Sequence, residues 1–123
     1  MYRMLIVDDE PAIVEGLAQL FEASGMELDV WKATSADEAL QVARQMKLDL
    51  VLSDIRMPEK NGLQLTDELL LYWPSCKILF LTGYSEFDYA YAAFQKNVEA
   101  YILKHEDDAK VLAAVRAAVG KLD

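Results

Sequence analysis

Five short apolar runs punctuate the chain: RMLIV at 3–7, LDVWKA at 28–33, DLVLS at 49–53, KILFL at 77–81 and EAYIL at 99–103. They recur roughly every 20 to 28 residues and are separated by longer stretches of helical period, the pattern of repeated βα units. Three of the runs are apolar on both faces, as parallel strands covered by helices on both sides require.

The intervening segments predict five helices. Ile13, Val14, Leu17, Leu20 and Phe21 form one apolar stripe, and Pro11 suits a first helical turn. Ser35 and Glu38 have the spacing of a capping box ahead of a helix that buries Ala39, Leu40, Ala43 and Met46. A third helix is expected over 62–72, ending before Pro74. SEFDYAYAAFQKN reads as a fourth, packed through Phe87, Tyr91 and Phe94, with Asn97 in the left-handed conformation at its end. A fifth follows an acidic first turn and buries Val111, Leu112, Val115, Ala118 and Val119. The order is (βα)5, and right-handed crossovers favour an α/β fold with a doubly wound five-stranded parallel sheet.

Composition narrows this picture. A chain of 123 residues is the size of one domain, 1–123, able to bury a core without disulfides. No apolar run approaches the roughly 20 residues that span a bilayer, and the start lacks a signal-peptide pattern, so a soluble cytoplasmic protein is expected, with no membrane partner. The single cysteine, Cys76, sits in CKILFLT and reads as a small buried hydrophobe. With 21 Asp and Glu against 12 Lys and Arg, the net charge of −9 repels a phosphate backbone, so no nucleic acid is expected on this chain itself.

Ligands of doubly wound sheets bind beyond the carboxyl ends of the strands. There the sequence places Asp8 and Asp9 after the first strand, Asp54 after the third, Thr82 after the fourth and Lys104 after the fifth. Three crowded carboxylates cannot all stay ionised cheaply unless a cation neutralises them or one pKa rises, and their hard oxygen donors suit Mg²⁺. DDEP follows the first strand where a dinucleotide fold has its glycine-rich turn. Nucleophile, metal ligands and ammonium together suit phosphoryl transfer.

The segments LIVDDEP, DLVLSDIRMPEKNG, ILFLTGYS and AYILK resemble the receiver domains of two-component response regulators over essentially the whole chain. The resemblance implies a flavodoxin-like sheet of order 2-1-3-4-5. It implies Asp54 as phosphoacceptor, Asp9 as direct Mg²⁺ ligand alongside Asp54, Asp8 as a ligand through water, and the Arg56 backbone carbonyl as the remaining protein ligand. Lys104 matches the lysine that pairs with the aspartate or its phosphoryl group, Thr82 the hydroxyl that bonds the phosphoryl oxygen, and Tyr101 the aromatic switch residue. The implied partner is a sensor histidine kinase, whose phosphohistidine supplies the group. The chain then acts as a phosphoacceptor that assists its own phosphorylation and dephosphorylation. The face of the fourth helix, fifth strand and fifth helix changes partner affinity, in some relatives by forming a homodimer. LTGYSEFDYAYAAF resembles receivers joined to AraC-type DNA-binding output domains that control transcription; no such domain lies in this chain.

In one departure from the family, His105 follows Lys104 where a proline is usual, so a trans bond and an altered loop are expected. His105 reads as a solvated loop residue, HEDD as helix capping and Glu10 as favouring the start of the first helix. Arg56 and Tyr84 match tuning positions and, as large side chains, are expected to slow self-dephosphorylation. Two rival readings are an interaction module independent of phosphorylation, and a phosphohydrolase; the latter lacks a second acid two residues after Asp54.

Overall fold

The computed structural model describes residues 1–83, 87–104 and 107–122. Strands and helices alternate as β1 (Tyr2–Val7), α1 (Pro11–Ala23), β2 (Leu28–Ala33), α2 (Ala36–Gln45), β3 (Leu50–Ser53), α3 (Gly62–Tyr72), β4 (Lys77–Thr82), α4 (Phe87–Gln95), β5 (Ala100–Leu103) and α5 (Asp108–Leu122). All five strands are parallel, in the order β2-β1-β3-β4-β5. The expected (βα)5 fold and strand order are therefore both present.

The period-two geometry of the strands divides the core into two layers. Leu5, Val7 and Val51 face α2, α3 and α4, meeting Ala39, Leu40, Leu65, Leu69 and Ala93. Met4, Ile6, Leu50 and Leu52 face α1 and α5, meeting Val14, Phe21, Val111 and Val115. β2 lies at one edge, and its Trp31 and Lys32 are exposed. Cys76 is buried as expected, and burial pushes its thiol up to about 12, which leaves it unreactive.

Two local expectations are corrected. Ser35 accepts from the Glu38 amide, but the Glu38 carboxylate turns to the amide and hydroxyl of Thr34, so only half of a capping box forms there. The reciprocal box is at α3, between Asn61 and Gln64. On α4, Tyr91 is 52% and Phe94 82% exposed, while Ala93 is buried and Tyr89 half-buried. On this helix the small Ala93 takes the core position, and Tyr91 and Phe94 project outward. Asn97 has the expected left-handed φ of 60°. Asp107 caps α5, accepting from the Lys110 amide at 3.2 Å.

Ion pairs hold the amino edge of the sheet. The Arg3 guanidinium meets Asp29 at 3.2 Å and the Lys47 carbonyl at 2.8 Å, and the Arg3 amide donates to Asp49. Glu99, at the start of β5, pairs with Lys121 at 2.7 Å and Lys77 at 3.5 Å. Among the described residues no helix is long and apolar enough to cross a membrane.

The Lys121 hydrogen bond, reinforced by Lys77, holds the Glu99 carboxyl below the usual carboxylate range. Its contribution to stability is present at neutral pH and lost as the pH falls through that lowered value. Glu99→Gln is expected to cost at most about 1 kcal/mol at neutral pH, because Lys121 is largely exposed. Urea unfolding should show the gap between variant and wild type closing in acid; a gap independent of pH would contradict the assignment.

Candidate acidic site at the carboxyl edge of the sheet

Backbone pairing continues one residue past the strands and sets the site. The Asp8 amide donates to the Ala33 carbonyl at 3.3 Å, and the Asp54 amide to the Val7 carbonyl at 2.9 Å. Asp8 and Asp54 thus emerge side by side from adjacent central strands, at the point where the chain leaves β1 and β3 toward opposite faces. The Lys104 amide donates to the Thr82 carbonyl at 2.8 Å, which returns β5 to the same edge.

Asp8, Asp9, Asp54 and Lys104 converge. Asp8 and Asp54 are only 2% and 5% exposed, Thr82 is fully buried, and Asp9 is exposed. One carboxylate oxygen from each of Asp8, Asp9 and Asp54 lies within 4.8 Å of the others. Lys104 Nζ lies 2.7 Å from Asp8 Oδ2 and 3.1 Å from Asp54 Oδ2, so the ammonium bridges both buried acids. Asp54 Oδ1 accepts from the Ile55 amide at 2.7 Å, and Asp8 Oδ1 from the Glu10 amide at 3.0 Å.

Burial raises the Asp54 carboxyl above its ordinary value, and the nearby Asp8 charge adds to this, outweighing the opposing pull of Lys104 and the Ile55 amide. For Lys104, burial by itself would lower the ammonium; hydrogen bonds to Asp8 and Asp54 more than reverse it, and the net shift is upward. The three carboxylates form an all-oxygen donor set that fits a hard divalent cation.

A cavity of about 330 Å³ opens over these groups, lined by Asp9, Glu10, Asp54, Arg56, Gly83 and Lys104. Glu10 occupies the N-cap of α1, where its carbonyl accepts from the Ile13 and Val14 amides. Its side chain makes no capping bond, and the residue also borders the cavity. Tyr101 is half-buried and packs against the α2–α4 layer. Arg56 is exposed, with its Nε donating to Tyr89 Oη at 3.3 Å. The His105 loop, the Lys104–His105 bond, the Tyr84 shield and the Phe87 side chain lie outside what is described.

Gly62 is a site residue that periodicity reads only as a helix start. A Cβ there would lie 2.2 Å from the Asp54 carbonyl oxygen. Its amide donates to the Ile55 carbonyl at 2.7 Å, folding residues 55–62 back beneath Asp54. Within that loop the Lys60 amide donates to the Pro58 carbonyl, with Glu59 at a φ of 70°. Ser53 Oγ donates to the same Asp54 carbonyl at 2.7 Å. The available signal was glycine itself, directly after an N-cap asparagine, where a better helix former would otherwise stand.

Residues 4–116 match the family model of the response regulator receiver domain. The chain is 36% identical over 112 residues to the transcriptional regulatory protein HptR of Staphylococcus aureus strain N315, covering 90% of this chain and 44% of that protein. It therefore spans under half the length of such curated relatives. Among solved structures it is similar to a two-component transcriptional regulator AraC from Clostridium phytofermentans (TM-score 0.84, 28% identity, 98% of this chain and 93% of that one). It is also similar to the response regulator TrrA from Thermotoga maritima in complex with Mg²⁺-BeF (TM-score 0.84, 30% identity, 96% and 99%).

Gly62→Ala should press its methyl against the Asp54 backbone, costing about 1–3 kcal/mol in urea unfolding. Gly16→Ala, with open space around the added carbon, should instead stabilise α1 by about 0.5–1 kcal/mol. Equal effects at the two glycines would refute the close approach at Asp54.

Proposed function

Because the chain belongs to the response regulator receiver family, we propose that residues 1–123 form one receiver domain in which Asp54 takes a phosphoryl group from a sensor histidine kinase. The observation that carries this reading is Lys104 bridging Asp8 and Asp54 beside the exposed Asp9 and the buried Thr82. An Asp54 carboxylate oxygen attacks phosphorus in line. The new O–P bond forms as the P–N bond to the kinase histidine breaks, and the imidazole departs with the electron pair and takes up a proton.

Asp9 and Asp54 would hold Mg²⁺ directly, Asp8 through water and Arg56 by its backbone carbonyl. When bound, the ion neutralises the carboxylates and the equatorial phosphoryl oxygens. Lys104 then exchanges its Asp54 contact for the phosphoryl group, and the Thr82 hydroxyl donates to it. The acyl phosphate brings about two negative charges to the cavity at this edge, which is what draws Thr82 and Lys104 inward.

Thr82 ends β4 immediately ahead of the segment leading to α4, and Tyr101 lies on β5 beside that layer. The switch therefore acts on the α4-β5-α5 face as a population shift, with partner binding favouring phosphorylation in return. Exposed Tyr91 and Phe94 on α4 support a partner surface there, whether a second copy or an output domain. The transcriptional relatives favour control of transcription through a DNA-binding domain, and the setting is cytoplasmic. Arg56 and Tyr84 slow loss of the phosphoryl group, which the domain itself assists.

With Mg²⁺ and acetyl phosphate the protein should gain a phosphoryl mass increment, absent in Asp54→Asn and formed at least about tenfold more slowly in Lys104→Ala. No increment in the wild type would favour an interaction module independent of phosphorylation. Continuous hydrolysis of added phosphate esters would instead favour a phosphohydrolase.

A further inference from the structure

The Arg56 side chain connects the loop after Asp54 to α4. Arg56 is two residues beyond Asp54, is exposed, and lines the same cavity as Asp9, Glu10, Asp54 and Lys104. Its Nε donates to Tyr89 Oη at 3.3 Å, and its guanidinium carbon lies 5.5 Å from the Tyr89 ring centroid. Tyr89 in turn is half-buried against the α2–α4 layer, where Ala93 is the buried residue among those described on α4. Lys96, just past the far end of α4, is tied to Asp67 of α3 at 2.7 Å.

Tyr89 and a phosphoryl group are unequal partners for Arg56. A phenol offers a guanidinium one long hydrogen bond to an uncharged acceptor and a ring face. A phosphoryl group offers two charged oxygens in the geometry that the guanidinium fork matches. The two compete for one side chain, because the cavity that holds the phosphoryl site is the one Arg56 already lines. A contact broken on phosphorylation must also oppose phosphorylation.

We propose that Tyr89 is a positioning residue that holds Arg56 on the α4 side of the cavity mouth, and that a phosphoryl group on Asp54 draws the guanidinium away and frees the first half of α4. This rests on the reading of Asp54 as phosphoacceptor. It adds a restraint of α4 that acts through Arg56, separately from Thr82 and Tyr101.

The test uses beryllofluoride with Mg²⁺ as an equilibrium stand-in for the phosphoryl group. Tyr89→Phe keeps the ring and removes the acceptor; it should tighten the beryllofluoride complex by about two- to fivefold. In an Arg56→Gln background the same change should have no effect, since Arg56 carries the coupling. Before any beryllofluoride is added, the NMR resonance of Arg56 Nε–H should move in Tyr89→Phe, and in the wild type it should move again on complex formation. A complex of unchanged affinity in Tyr89→Phe, a gain that persists in Arg56→Gln, or an unmoved Arg56 resonance would each overturn the clasp alone. If the wild type formed no complex that Asp54→Asn removes, the phosphoacceptor reading would fall with it.

Discussion

Lys104 carries one ammonium between two buried carboxylates, and the carboxyl edge of this sheet depends on that arrangement. Parallel pairing of β1 and β3 forces Asp8 and Asp54 out next to each other, with little water to screen them. Repulsion at that distance would otherwise bias one acid toward protonation or push the strand ends apart. A single cation cannot fully balance the group once the exposed Asp9 is included. The edge is thus electrostatically open to a divalent ion, while the pull of both acids keeps Lys104 charged.

The remaining framework serves to hold those groups in register. Two apolar layers clamp the central strands, and Gly62 lets the loop after β3 fold directly under the Asp54 carbonyl. α1, α2, α3 and α5 each bury several side chains, whereas among the described residues of α4 only Ala93 is buried, with Tyr89 half-buried and Tyr91 and Phe94 exposed. Helices that bury several side chains, and one whose described residues bury only Ala93, thus flank the same sheet. That contrast suits a molecule in which a local change of charge must move one helix without unfolding the sheet.

Most of the architecture was legible because it rests on period. Apolar runs of strand length, spaced by helix-length stripes, leave few arrangements once crossovers are right-handed, and the strand-end acids and lysine then fall on one edge. Misreadings arose where period is silent about distance. Phe87, Tyr91 and Phe94 have the spacing of one helical face, but it is Ala93 that is buried in the core, and Tyr91 and Phe94 are exposed. Ser35 and Glu38 have capping-box spacing, yet Thr34 offers Glu38 an amide and a hydroxyl at once.

The sequence by itself determined the (βα)5 order, the acidic edge and the family, since these follow from residue type and spacing along the chain. Tertiary structure alone decided that Lys104 sits closer to Asp8 than to Asp54, that Gly62 leaves no room for a side chain, and that Arg56 reaches Tyr89 on α4. Those contacts join residues 33 to 96 positions apart, or backbones stacked in three dimensions. No local pattern encodes such distances; they come from how the sheet's twist and packing bring separate strand ends and helices together.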